Sequence, residues 1–146
     1  MSKFNIKLYN KSQKDEVLFS TTLQSRLPKE YKIVRTNDDK HCNVDYIIYK
    51  NNQILMYLEL KTRGNCSKYP TLMIGATKLD KIKSHFNSNC IIVWQCEETK
   101  IIYHTIYNDI YCDLEISYLN GSGVKYIHKN YCDVGMDILI DNILNW

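Results

Sequence analysis

Short apolar runs alternate with polar breaks along this chain, and the period of each run indicates its element. In residues 11–26, KSQKDEVLFSTTLQSR, Phe19 and Leu23 begin a four-residue repeat that continues to Leu27, with Leu18 and Thr22 beside it. That is one face of a helix. Ser12, with Asp15 three residues on, has the form of a capping box, and Pro28 fits the stop. Tyr31–Arg35 reads as a short strand before a polar loop, TNDDKHCN. Residues 44–63, VDYIIYKNNQILMYLELKTR, read as two apolar strands joined at Asn51 and Asn52. After the loop KTRGNCSKYP, residues 71–86 place Leu72, Ile74, Leu79, Ile82 and Phe86 at roughly helical intervals, which predicts a helix over most of that stretch. CIIVWQC is an apolar strand that KIIYHTIY, residues 100–107, joins across the turn EET. Residues 111–119 and 124–128 predict a hairpin across NGSG. Residues 135–146 predict a terminal amphipathic helix with Met136, Ile140, Ile143 and Leu144 inward.

The resulting order, α-β-β-β-α-β-β followed by β-β-α, predicts an α/β (α+β) fold with a mixed central sheet flanked by helices. No repeat or linker divides the 146 residues, so one domain over 1–146 is expected. Its core would span roughly 12–107, with a hairpin and helix extension over 108–146.

Against this apolar background, two charges are out of place. The second strand of the central hairpin runs Ile54, Leu55, Met56, Tyr57, Leu58 and then delivers Glu59 and Lys61. A three-residue loop would pair Lys50 with Ile54 and therefore Asp45 with Glu59; a two-residue loop moves the pair one step along the diagonal. Opposed side chains lie about 5 Å apart on one sheet face, and alternation puts Lys61 on the face of Glu59. Two carboxylates so close repel, more so when buried. Mg²⁺ or Mn²⁺ relieves the repulsion, because hard carboxylate oxygens are what such ions bind. The Leu60 carbonyl lies between the two side chains as a further ligand, and Lys61 would orient water and offset phosphate charge.

The pattern resembles the PD-(D/E)XK nuclease superfamily, whose signature is an acid on one strand and (D/E)-x-K on the next. Asp45 and Glu59-Leu60-Lys61 are the matching residues, and Val44 stands where the superfamily name has proline. The resemblance implies a restriction-endonuclease-like αβββαβ core. It implies a divalent-metal-dependent DNA endonuclease leaving 5′-phosphate and 3′-hydroxyl ends, with a Holliday-junction resolvase or repair nuclease as specialisations. It also implies Glu16 of the first helix as a metal ligand beside Asp45, Glu59 and Leu60, and Lys78 as a phosphate contact. DNA and a second copy of the chain are its implied partners, with the metal as sole cofactor. Arg63, Lys68 and Tyr69 follow the motif and are placed to meet a nucleic-acid backbone. His41 and His104 are not assigned as general bases.

Composition changes this picture little. A net charge of +3 suits nucleic acid without requiring it. No run is long enough to span a bilayer, and the N-terminal stretch lacks a signal peptide's apolar core, so an intracellular protein of cytoplasm or nucleus is expected. The six cysteines form no CxxC pair and are expected as reduced thiols. A zinc site from His41, Cys42, His128 and Cys132 matches no common spacing. Two other readings stay open. One is a nuclease-fold module that binds nucleic acid without turnover, against which the intact Asp, Glu and Lys argue. The other is a protein-interaction domain using Tyr103, Tyr107, Tyr111, Tyr118, Tyr126 and Tyr131.

Overall fold

In a computed structural model, which describes residues 6–36, 44–64, 66–86, 89–107, 115–119 and 122–146, the first helix (α1) runs Ile6–Arg26. It buries Phe19 and Leu23, and Leu27 just beyond its end. Ser12 and Asp15 therefore lie inside the helix and not at its start. No glycine or proline precedes Pro28 to interrupt it, so nothing in the chain obliges it to begin at Ser12. Leu18 and Thr22 point outward, because the buried stripe is no wider than the four-residue row.

Strands β1 (Tyr31–Arg35), β2 (Tyr46–Lys50) and β3 (Gln53–Arg63) follow. Asn51 and Asn52 both adopt positive φ, 52° and 65°, as a two-residue type I′ turn requires. Lys50 pairs with Gln53 and Tyr49 with Ile54; then Leu55 is passed over, and Ile48 pairs with Met56. The two-residue loop and this bulge together produce the pairing that a three-residue loop would have given. The outer strand β1 is shielded by α1: the Gln24 amide donates to the Tyr31 carbonyl and accepts from the Ile33 N–H, at 2.9 and 2.8 Å.

The stretch TLMIG is a strand (β4, Thr71–Gly75), not the start of the second helix, which is Ala76–Phe86 (α2). Leu72 and Ile74 are buried at a period of two, whereas the helical spacing begins with Leu79 and Ile82. The run of apolar residues mixes two periods, which is why it resembled one helix. Next come β5 (Cys90–Cys96), β6 (Ile102–Ile106), β7 (Glu115–Leu119), β8 (Ser122–His128), β9 (Asp133–Val134) and α3 (Met136–Leu144). The predicted β7–β8 hairpin forms, with β8 starting earlier than expected. Residues 111–114 and 120–121 lie outside the described residues.

Two sheets result. One has the order β1-β2-β3-β5-β6-β9 and is mixed, with β3 and β5 parallel and its other pairs antiparallel; the other has the order β4-β8-β7. The α+β class predicted from the sequence is thus the observed one. On one face of the large sheet Tyr46, Ile48, Met56, Leu58 and Val93 pack against α1 and α3. On the other, Ile92 and Trp94 pack with Leu72, Ile74, Leu79, Ile82 and Ile127 from α2 and the small sheet. The Trp94 indole donates to the Met73 carbonyl at 2.9 Å and ties the two sheets together. In α3 the inward row is Leu139, Ile140 and Ile143; Leu144, expected inward, is exposed. Residues past 107 thus supply parts of both cores and one strand of the large sheet.

Cys66 and Cys96 form a disulfide with Cα atoms 5.8 Å apart, correcting the expectation of reduced thiols for this pair. Cys96 ends β5 opposite Arg63, and a 3₁₀ turn (Cys66–Lys68) three residues after Arg63 returns the chain to it. Cys90 and Cys132 are free; Cys42 and Cys112 lie outside the described residues, as does His41. His128 accepts the Asn130 N–H through Nδ1. His104 is buried, with Nε2 against the Gly135 carbonyl at 3.0 Å and a pKa lowered by burial, so it serves as a core residue. Among the described residues no helix is long and apolar enough to cross a membrane.

Candidate active site

The bulge fixes what the hairpin can present. Tyr46 pairs with Leu58, so Asp45, one residue before β2, stands across from Glu59. Asp45 is held at three points: its carbonyl accepts the Thr36 N–H at 2.9 Å, neighbouring Val44 is buried, and its Oδ2 accepts the Leu60 N–H at 2.8 Å. Its carboxyl pKa rises to about 7, first through burial, then through hydrogen bonding with Glu59 and its charge; the Leu60 N–H and Lys61 pull the other way.

Glu59 has no solvent exposure. Lys61, on the same face of β3, brings Nζ to 3.4 Å from Glu59 Oε2. Lys78, in the first turn of α2, brings Nζ to 3.1 Å from the same oxygen. Apart from the Asp45 carboxyl, no group among the described residues directs a hydrogen bond at the Glu59 oxygens, so the two lysines offset its charge without saturating its acceptors. A buried carboxylate beside a second carboxyl is a pair that could hold a cation.

These groups line a polar cavity of about 500 Å³ that also takes in Asp15, Glu16, Leu60, Arg63 and Glu97. Glu16 reaches it from α1 but is paired with Arg35 of β1, Nη2 to Oε2 at 2.7 Å. The Tyr46 hydroxyl donates to the Glu16 carbonyl at 2.6 Å and anchors this part of the helix to the sheet. Among the described residues no group of three or more Asp, Glu, His or Cys side chains is gathered closely enough to hold a metal ion. The residues that could hold an ion are the two carboxylates Asp45 and Glu59, with Leu60 beside them. That set suits Mg²⁺, which keeps several waters and needs one or two carboxylates.

Asp45, Glu59, Lys61 and Lys78 come together, and Glu16 and Arg63 border the same cavity. Tyr69 does not: it lines an adjoining groove that Arg63 shares. Lys68 is exposed on the 3₁₀ turn and borders neither space. Sequence reasoning missed Arg35, which holds Glu16, and Glu97, which directly follows β5. The signal for Glu97 was available: parallel β3 and β5 end together, so the residue after CIIVWQC arrives beside Arg63, and its N–H donates to the Arg63 carbonyl at 3.0 Å.

No family model matches the sequence, and no curated protein does. Among solved structures, the fold is similar to that described as "Structure of D212, a nuclease from a fusselovirus", with a TM-score of 0.64 over 98% of this chain and 95% of that one. The identity is 10%, so what the two share is architecture.

Proposed function

We propose that this protein is a divalent-metal-dependent nuclease that hydrolyses phosphodiester bonds in DNA. The observation that carries the reading is the meeting of Asp45, Glu59, Lys61 and Lys78 at the rim of one sheet. A fold similar to that of a viral nuclease supports it, as does the fit of this cluster to the acid and E-x-K pattern of the PD-(D/E)XK superfamily.

Asp45 and Glu59, with the Leu60 carbonyl, are the groups that would hold Mg²⁺ or Mn²⁺. Glu16 would join them only by loosening its ion pair with Arg35. The ion, when bound, supplies Lewis-acid polarisation of the phosphate and a more acidic water. The chain's own contribution is positional and electrostatic. Glu59 holds the Lys61 side chain at the cavity, where its ammonium orients the attacking water and offsets charge on the phosphate. Lys78 approaches from the helix side and holds a phosphate oxygen. Water adds to phosphorus and the bond to the 3′-oxygen breaks, leaving 5′-phosphate and 3′-hydroxyl ends. A homodimer that cuts both strands or a branched junction is the specialisation the superfamily resemblance favours. Light scattering on the purified chain should then give twice the monomer mass.

The test is incubation with plasmid, linear single and double strands and a four-way junction, in Mg²⁺, Mn²⁺ or EDTA. Cutting that needs the ion and disappears in Asp45→Ala and Lys61→Ala is the expected result. Binding without cutting in every condition would replace this reading with the non-catalytic module.

A further inference from the structure

Beside the carboxylate cavity lies a second space of about 350 Å³, walled by Tyr69, Tyr126, Leu72 and Met73, with Arg63 shared between the two. Its character differs from its neighbour's: two tyrosine rings and aliphatic side chains where the other has acids and lysines. Tyr69 is 57% exposed, an unusual place for a large ring without a partner to cover it. Tyr126 belongs to β8 and pairs with Met73 of β4 across the small sheet.

Arg63 is the second observation. It is half-buried, its Nε is shielded from solvent without a hydrogen-bond partner, and Nη1 reaches only the neighbouring Thr62 carbonyl at 3.2 Å. Burial lowers its pKa. A guanidinium in that state calls for an anion, and its planar fork suits phosphate. It follows Lys61 by two strand positions on one face, about 7 Å further along. That is the order of one nucleotide step in an extended strand. The surrounding loop is fixed in advance: the Cys66–Cys96 disulfide closes it, and Lys129 Nζ donates to the Cys66 carbonyl at 2.6 Å.

We propose that this groove takes an unpaired nucleobase between Tyr69 and Tyr126 while Arg63 holds its phosphate, so that the substrate is single-stranded or locally unpaired at the nucleotide next to the scissile bond. The proposal deepens the nuclease reading and rests on it only for the word scissile. Stacking on tyrosine is indifferent to base identity and worth about tenfold in affinity per base. A base held in a duplex presents no free face to it.

The test measures binding of the full chain in EDTA by fluorescence anisotropy. The probes are a labelled oligothymidine strand, an abasic strand of equal length and the corresponding duplex. The oligothymidine should bind about tenfold tighter than the abasic strand. Tyr69→Ser, an exposed position that leaves folding intact, should erase that ratio without weakening the abasic strand. Arg63→Gln should weaken both strands alike. Equal binding of the oligothymidine and abasic strands, a ratio unchanged in Tyr69→Ser, or no binding of any strand each overturns the proposal. Lys61→Ala separates the two readings: it should lose cutting and keep the ratio, and a wild-type protein with the ratio but no cutting sinks the nuclease reading alone.

Discussion

The side chain of Asn89 donates to the carbonyl of Leu55 at 2.9 Å, at the one residue by which β3 outnumbers β2 in their pairing. Bulged residues leave backbone groups without a ladder partner, and Asn89 supplies one. Its other amide atom, Oδ1, accepts from the Trp146 indole at 2.7 Å, and its backbone carbonyl accepts the Tyr57 N–H at 2.9 Å. Without the bulge, a two-residue turn would set Asp45 against Leu58 and Glu59 against Val44. Asn89→Ala is expected to cost about 1 kcal/mol by leaving the Leu55 carbonyl without its donor, while water replaces Asn89 at the exposed indole N–H. Urea unfolding of the two proteins measures it.

Asp45 should trade stability for ion binding. Its folded pKa of about 7 lies above the ordinary carboxyl value of 3.8, so the folded state holds the proton more tightly than the unfolded one. Unfolding free energy therefore falls as pH rises between those two values and levels off above the upper one. Asp45→Asn removes this loss while keeping an oxygen for the Leu60 N–H. The variant should be more stable than wild type near pH 8 without metal and equal to it only below pH 3.8, as read from paired denaturant titrations.

The same proton competes with the cation. Mg²⁺ affinity, followed by calorimetry, should weaken by about tenfold for each pH unit below roughly 7, with proton release on binding. An affinity flat through this range would mean that Asp45 is not a ligand.

Glu59 and Lys61 should separate by their effect on folding. Glu59→Gln leaves two half-buried lysines facing a neutral group, a loss of about 1–3 kcal/mol. Lys61→Ala leaves Lys78 still paired with Glu59, so its thermal midpoint should change little. Both should lower the cutting rate by a factor on the order of 10² or more. Melting curves beside nuclease rates on the same preparations test the pair.

Closing a loop between residues 30 apart, the Cys66–Cys96 disulfide restricts the unfolded chain. Cys66→Ser or reduction should cost about 3–4 kcal/mol on chain-entropy grounds. Unfolding with and without reductant provides the measurement.

Local patterns exposed much of this molecule in the sequence and long-range ones very little. Asp45, Glu59 and Lys61 were legible because one turn and a side-chain period of two decide their relation, and a bulge happened to restore the register assumed for a longer loop. Phe19, Leu23 and Leu27 were legible for the equivalent helical reason. Arg35 gave no such signal, because its partner Glu16 is 19 residues away and only packing of α1 across the sheet brings them together. β4 was hidden because Leu72 and Ile74 also fit the helical spacing that continues in α2, and its pairing partner lies some 50 residues downstream. The Cys66–Cys96 bond depends on the parallel pairing of β3 with β5, which spacing alone does not reveal.

Placing β4 inside the crossover from β3 to α2 has a consequence for how far the chain can be trimmed. β4 bonds to β8, and β8 arrives only after residue 121. A chain cut after residue 107 would keep the residues gathered around Glu59, yet it would strip β4 of its partner and uncover the apolar side chains that α3 covers. Such a fragment offers bare strand backbone and greasy surface together, the combination that drives chains to self-associate and precipitate. The candidate site sits in the first two thirds of the molecule, but the packing that covers its sheets comes from the last third.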